Sequence, residues 1–304
     1  MAGPLSDANE SLRFELTVNN CVHSVSFDAN MLQSPARSTY PHGGSLCGAL
    51  GPMADEMKDT ADAKLRILAL THQYPRLGNE LFAPYNRHQI RCLSHGHDIR
   101  VIAPIAWTGL FRGGYADHLT CPRHYLNKDN LWVDHPPYFY PPKLLEHRYG
   151  DFYLLSIRKT VRRIIDEFKP GVIFSCWSHP DGWAAVRLAR EHGLPVLIKV
   201  VGSDVLVLAR NPRRRERVAE ALREADGVIA VSRDLAEHVV ELGVDPARVH
   251  VVPEGIDQEL FSPGDPQEAR ARLGLEGGPD GSASLPRLLF VGNLLLSKGA
   301  GVLL

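Results

Sequence analysis

The chain has 304 residues, with 34 Lys and Arg against 35 Asp and Glu for a net charge of −1, and is 44% hydrophobic and 23% charged. Its mean hydropathy is −0.16. A membrane-spanning protein is excluded, because no window approaches the roughly 18 uninterrupted apolar residues that a span requires. A wholly disordered chain is excluded too, and a net charge so near zero gives no global field for nucleic acid.

The first 62 residues read as an N-terminal extension, with three basic and eight acidic side chains. Leu12, Phe14, Leu16 and Val18 alternate with polar residues, Asn19-Asn20 offers a turn, and Val25 and Phe27 resume the alternation, which predicts a weak hairpin. Residues 28–62 are rich in Pro, Gly and Ser and are expected to be poorly ordered. The opening MAGPLSDANESLRFEL has no basic region followed by an apolar one, so it does not read as a secretory signal. The five cysteines (Cys21, Cys47, Cys92, Cys121, Cys176) lie far apart without a C-x-x-C, which excludes a disulfide framework and a zinc ribbon. The expected location is the cytoplasm.

From residue 63 short aliphatic runs alternate with amphipathic stretches. Strands are predicted at 65–71, 98–103, 171–176, 195–201, 227–231 and 248–252, and helices at 83–95, 151–168, 182–192, 212–225 and 232–242. The alternation predicts an α/β domain over 63–264, a Rossmann-like doubly wound parallel sheet. A Pro- and aromatic-rich loop at 104–150, with DHPPYFYPP at 134–142, interrupts it. A short helix at 267–273 and a flexible GLEGGPDGSASLP linker fill 265–286. At 287–304 the run RLLFVGNL reads as a strand and Ser297-Lys298-Gly299 as the turn into a helix, the start of a second, incomplete α/β domain.

In an open parallel sheet, ligands bind beyond the carboxyl ends of the strands, so the loops there hold the candidate chemistry. The first, His72 to Glu80, contains one glycine, Gly78, and no G-x-G-x-x-G, which argues against a dinucleotide. After 171–176 comes Trp177-Ser178-His179-Pro180-Asp181-Gly182-Trp183. It reads either as an acceptor pocket, with Trp177 as a stacking platform beside His179 and with Asp181 holding hydroxyls, or as a helix capped by Asp181 with the indoles in the core. After 195–201 the turn Gly202-Ser203-Asp204 brings backbone N–H groups and a carboxylate to the same edge.

Basic residues cluster at Arg158, Lys159, Arg162 and Arg163, and at Arg210, Arg213, Arg214, Arg215 and Arg217. They suit an anionic membrane surface or a phosphorylated acceptor, or are a solvated helix face. Cys92-x-x-His95 and Cys121-x-x-His124 lack a second ligand pair, so no metal is expected. There is no G-x-S-x-G, H-E-x-x-H or Walker loop to support a hydrolase, zinc protease or P-loop enzyme.

Residues 65–304 resemble the N-terminal, acceptor-side domain of glycosyltransferase family 4 enzymes of the GT-B fold, with the first strand of their donor-side domain. The resemblance rests on FSCWSHPDG (174–182), LPVLIKVVGSDV (194–205), ADGVIAVSRDLAEHVVELGV (225–244), VHVVPEGIDQELFSP (249–263) and LLFVGNLLLSKG (288–299), in the family's order and spacing. It implies a retaining transfer of a sugar from a nucleotide-sugar donor to the hydroxyl of a glycan or lipid-linked acceptor, without a metal, in polysaccharide, cell-envelope or glycolipid assembly. On the reading of the basic clusters as a membrane-facing surface, the cytoplasmic protein is expected to make peripheral contact at the inner face of the plasma membrane through its basic helices. Gly292 and Lys298 match positions that meet the donor's diphosphate, where a cation and backbone amides stabilise the leaving group. Gly78 matches the first-loop glycine that approaches the donor, Ser203 and Asp204 the turn facing the cleft, and Glu254-Gly255-Ile256-Asp257 the interdomain loop.

The departures are equally specific. Cys176 and Val201 stand where relatives often have His, Glu254 where Asn is common, and Asn293 where an Arg commonly contributes charge beside the donor phosphates. The family's pair of glutamates seven residues apart falls beyond Leu304. The 304-residue chain alone is therefore expected to be inactive. A non-catalytic sugar-binding or scaffolding remnant, half of a split enzyme, and a sugar-nucleotide epimerase of the same architecture are the alternative readings.

Overall fold

The aliphatic runs assemble into a mixed, largely parallel sheet in a computed structural model that describes residues 11–18, 21–28, 64–110, 121–257, 261–275, 289–292 and 296–303. The chain divides into two units, Met1–Gly255 and Ile256–Leu304. In the first, β1 (Ser11–Val18) and β2 (Cys21–Asp28) pair antiparallel, with Val18 opposite Cys21. The main sheet comprises β3 (Arg66–Leu70), β4 (Asp98–Ile102), β6 (His124–Leu126), β7 (Trp132–Asp134), β9 (Val172–Cys176), β10 (Val196–Val200), β11 (Gly227–Ala230) and β12 (Val249–Val251). Across the sheet the order is β12-β11-β10-β9-β3-β4-β7-β6, and every neighbouring pair is parallel except β6 and β7.

The central strands β9, β10 and β11 are buried at every position and largely apolar, because helices cover both faces. Alternate residues serve opposite cores. Leu68, Leu70, Ile173, Ile198 and Val228 join the core under α2 (Tyr149–Phe168), α3 (Trp183–His192), α5 (Pro212–Glu224) and α6 (Arg233–Glu241). Ile67, Ala69, Val172, Phe174, Leu197 and Ile229 join the opposite core with Ile90 and Leu93 of α1 (Pro84–Ser94). That period of two is the strand pleat expressed in packing. A single turn, α4 (Ser203–Leu206), lies between β10 and α5.

Helix boundaries follow local chemistry. Asn211 caps α5 by accepting from the amides of Arg213 and Arg214, with Pro212 in the first turn. Ser232 caps α6 through the Leu235 amide, and Gly193, at φ 63, ends α3 in the left-handed conformation.

The segment 104–150 is not the uninterrupted loop expected from its composition. It contributes β6 and β7 to the main sheet, and β5 (Ile105–Ala106) pairs with β8 (Pro137–Tyr138). Arg100 on β4 reaches Asp134 on β7, Nε to Oδ2 at 3.1 Å, and Asp134 also meets His124 on β6 at 3.1 Å. Strands of two or three residues are too short for their alternation to be read.

In the second unit, α7 (Pro266–Arg272) starts at an Asp265 cap, and α8 (Ala300–Leu303) follows a turn of 3-10 helix at Leu296–Lys298. The strand expected at 287–294 does not form at residues 289–292. A strand needs a paired neighbour, and none of the described residues supplies one. The remainder of that run, and the expectations for 29–63, lie outside the described residues.

Gly150 is a point of close approach between α2 and α3. A Cβ there would stand 2.3 Å from Cδ1 and 2.6 Å from Cγ of the buried Trp183, and 3.0 Å from Nε2 of His179. Gly150→Ala should therefore destabilise the fold by about 1–3 kcal/mol through overpacking. A lowered urea midpoint at unchanged m-value checks this.

Candidate functional site at the carboxyl edge of the sheet

Strand order reverses direction between β3 and β9: the chain builds outward from β3 through β4 and β7, then returns to add β9, β10, β11 and β12 on the other side. At such a switch point the loops leaving two adjacent strands diverge and open a crevice. The loops here begin at Thr71 and Trp177. Thr71 closes the base, its hydroxyl donating to the Cys176 carbonyl at 3.0 Å and accepting from the Gln73 amide at 3.0 Å.

Above it stands a buried carboxylate. Asp181 is fully buried, and its Oδ1 accepts from the His72 amide at 2.8 Å and from the Tyr153 hydroxyl, while Oδ2 meets His72 Nδ1. Burial, reinforced by the adjacent Asp181, pushes the Tyr153 phenol well above its usual range, so it remains a donor. With Nδ1 held by the carboxylate, His72 keeps Nε2 as its outward atom, 3.5 Å from Gln73 Nε2. Trp177 meets the His72 ring edge-on, with centroids 6.1 Å apart. Its φ of 107° is a conformation that residues with a Cβ rarely adopt. Hydrogen bonds from Trp177 N to Lys199 O and from Gly182 N to Trp177 O, both 2.9 Å, hold it there.

Asp181 does not cap α3, because Gly182 occupies the cap position with no side-chain bond. Nor does Asp181 present oxygens to solvent, since His72 and Tyr153 consume them. Of the two indoles, Trp183 is core, with its Nε1 donating to Asp151 at 3.0 Å and the guanidinium groups of Arg187 and Arg217 lying 3.1 and 4.4 Å from its ring centroid. Trp177 is half-buried at the crevice.

The turn after β10 is tied to the one after β9 by a second buried carboxylate. Asp204 accepts from the amides of Val201 and Gly202 at 3.0 Å and of Ser178 at 3.1 Å, and Ser178 Oγ donates to the Asp204 carbonyl at 2.8 Å. Burial raises its pKa, and the amides pull it back. Gly202 makes the turn possible at φ 122. Ser203 is exposed beside it.

Several of these partners escaped the sequence reading. Lys199 is 1% exposed in the middle of β10, with Nζ 2.7 Å from Gln89 Oε1 and 2.5 Å from Glu254 Oε1. A lysine inside the aliphatic run LIKVV was the signal, because a buried ammonium requires partners. Nearby, the buried Cys176 thiol is pushed up to about 12 by desolvation, with Lys199 opposing. His72 and Tyr153 carried no local signal. Gly78 lies exposed at φ 86 in the first loop, beside a cleft lined by Tyr74, Arg76, Leu77, Arg87, Tyr125 and Lys128. Gly292, at φ 154, and the exposed Lys298 belong to the second unit.

His179 is buried with its Nε2 accepting from the Gly150 amide at 3.2 Å, which requires the neutral ring. Desolvation, followed by the Arg214 charge, lowers its pKa to about 3. Below the unfolded value of about 6.5, the unfolded chain takes up a proton that the folded ring refuses, so stability falls with pH by up to about 1.4 kcal/mol per unit. Denaturant titrations between pH 7 and pH 4 should show that extra slope in the parent and its loss in His179→Gln.

Residues 88–260 match the family description Glycosyltransferase Family 4. A D-inositol 3-phosphate glycosyltransferase of Frankia alni is 31% identical over 163 residues, covering 50% of this chain and 39% of that protein. Its namesake from Geodermatophilus obscurus is 34% identical over 132 residues, covering 42% and 27%. The chain thus spans less than half the length of these relatives. Among solved structures, Anabaena Alr3699/HepE in complex with UDP and glucose is 15% identical over 70% of this chain and 51% of that one, with a TM-score of 0.46. The UDP-GlcNAc 2-epimerase of Neisseria meningitidis, bound to UDP-GlcNAc, is 13% identical over 62% and 45%, with a TM-score of 0.39. With more than half of its residues matching the family and its loops gathered at the carboxyl edge of a doubly wound sheet, the chain belongs to glycosyltransferase family 4.

Proposed function

We propose that the chain forms the acceptor-side half of an enzyme that moves a sugar from a nucleotide-activated donor to an acceptor hydroxyl, with retention and without a metal. The observation that carries this reading is the crevice at the switch point, where His72, oriented by Asp181, and Trp177 line the edge at which parallel sheets bind ligands. His72 Nε2 is placed to accept a hydrogen bond from an acceptor hydroxyl and orient it. Trp177 offers a ring for a sugar or polyol to lie against. Gly292 and Lys298, in the second unit, are residue types suited to the leaving diphosphate. The cytoplasm, where nucleotide sugars are used, and cell-envelope or glycolipid assembly complete the proposal.

The acceptor we favour is a phosphorylated polyol, as the relatives' names suggest. Arg214 supports it: Nε is buried without a hydrogen-bond partner among the described residues, and the guanidinium reaches Glu146 only at 3.5 Å. Arg214 lies over Tyr149, 5.6 Å from its centroid, and its charge is felt at His179, two residues after Trp177 in the turn that leaves β9. A phosphate has the geometry to complete that fork.

Titration calorimetry of the chain with D-inositol 3-phosphate and with unphosphorylated inositol tests the assignment. The phosphate should bind more tightly, and Arg214→Ala should weaken it by about 10- to 100-fold, the worth of a charge-assisted pair of about 1.5–3 kcal/mol. Equal affinity for the two ligands, or no effect of Arg214→Ala, would remove the phosphorylated acceptor.

A further inference from the structure

The cleft beside Gly78 has two walls from distant parts of the chain. One is the loop after β3, where Arg76 and Asn79 bond back to each other around Gly78, Arg76 N to Asn79 O at 3.4 Å and Asn79 N to Arg76 O at 2.9 Å. The other is the turn from β6 to β7, where Asn127 Oδ1 accepts from the amides of Asp129 and Leu131, both at 2.9 Å, and Asn130 is left-handed at φ 60. Three contacts hold the turn against the loop and α1. Asn127 Nδ2 donates to the Tyr74 hydroxyl at 3.1 Å, Arg87 grips Asp129 through Nε and Nη2 at 2.5 and 2.8 Å, and Lys128 pairs with Glu80. The space between the walls is about 470 Å³ out to its mouth, within the ~300–1,000 Å³ of small-molecule sites.

Hydrogen bonding in this cleft is lopsided. Its acceptors are spent: Asn127 Oδ1 on two amides, Asp129 on Arg87, and Glu80 on Lys128, with Arg87 Nη1 a further 3.7 Å away. Donors remain. The Tyr74 oxygen receives the Asn127 amide and the Tyr125 oxygen faces the Leu77 amide, yet neither phenol has an acceptor for its own hydrogen among the described residues. Burial pushes both phenols above their usual range, so both keep that hydrogen. Tyr74 is 3% exposed, and a buried donor left without an acceptor is costly. Around the two phenols, Arg76, Arg87 and Lys128 stand against Glu80 and Asp129, an excess of one positive charge. Pro75, Leu77 and Leu126 complete the lining with apolar surface, the two leucines half-exposed at the rim.

We propose that this cleft is a second ligand site, which takes a small phosphate monoester. A site with surplus donors and positive charge calls for a ligand rich in acceptors and negative charge. The donors come from both walls, Tyr74 and Arg76 from the loop and Tyr125 and Lys128 from the hairpin, so a tetrahedral group with three terminal oxygens uses more of them than a planar carboxylate with two. The leucines and Pro75 then receive the organic part of the ester. The site is separate from the crevice between β3 and β9. Tyr125 lies on β6, three strands beyond β3 in the sheet, or ~14 Å at about 4.8 Å per strand. Occupancy would fasten the loop that begins at His72 to the β6–β7 turn, because the phosphate bridges Tyr74 and Tyr125. The inference concerns binding in this cleft and stands whether or not Arg214 holds a phosphorylated acceptor.

The test is titration calorimetry of the full chain carrying Arg214→Ala, which keeps the crevice from contributing, with phenyl phosphate, inorganic phosphate and benzoate. Phenyl phosphate should bind at one site, about tenfold or more tighter than benzoate and tighter than inorganic phosphate, and should weaken as salt rises. Adding Tyr125→Phe, which removes only a hydroxyl, or Lys128→Gln, at an exposed side chain, should each lower the affinity for phenyl phosphate by about tenfold. Both variants should keep the thermal midpoint of the chain they are made in, which is measured alongside. Heat from phenyl phosphate in the parent but none in Arg214→Ala would place the phosphate in the crevice and overturn the proposal. Benzoate binding as tightly as phenyl phosphate, or undiminished affinity in both Tyr125→Phe and Lys128→Gln, would overturn it equally.

Discussion

A carboxylate with no access to water must find donors, and Asp181 finds them on two distant parts of the chain. His72, at the end of the first strand of the sheet, and Tyr153, within α2, both converge on it. This one group fixes the loop after β3, the turn after β9 and the angle of α2 together. Truncating it would leave a buried phenol and an imidazole without their acceptor, a larger loss than the net worth of either bond. The orientation of His72, and hence what the crevice can offer to a hydroxyl, depends on a side chain that itself touches nothing bound there.

Two further buried polar groups extend the same logic along the sheet edge. Asp204 gathers three backbone amides and so ties the β9 and β10 turns into one rigid ledge. Lys199 reaches from the centre of β10 to Glu254, on the segment leaving the last strand of the sheet. Each costs desolvation that only complete pairing offsets, so the edge is organised by a few obligatory contacts rather than by apolar packing. His179 completes the set in the neutral form, as an acceptor between α2 and the turn that precedes α3.

Much of the fold was legible because burial on both faces writes itself into composition. The run at 171–176 became Val172–Cys176 and that at 195–201 became Val196–Val200, since aliphatic β-branched segments flanked by Gly and Pro have few other fates. The helix ending at Gly193 and the Ser232 cap were legible for equally local reasons. The strands β6 and β7 were not, because three residues carry no period and their pairing depends on Arg100 meeting Asp134 across the sheet. At the site, Trp177, Asp181 and Asp204 could be singled out by position after a strand, but their partners could not. Asp181 read as a cap or a hydroxyl ligand because both uses have the same local signature.

The sequence by itself determined the longer strands and helices and the doubly wound class, for these rest on periodicity and caps within about ten residues of one another, and it carried the family resemblance in motifs that follow in order along 174–299. Tertiary structure alone decided which polar groups meet. His72 and Asp181 are 109 residues apart and Lys199 and Gln89 are 110 apart, joined only because strand order places β3 beside β9 and the folded chain brings Gln89 of α1 within reach of β10. Local pattern has no means of encoding that order, since an aliphatic strand is satisfied by any aliphatic neighbour, whereas a buried carboxylate or ammonium is satisfied only by the particular donors and acceptors that the completed sheet delivers.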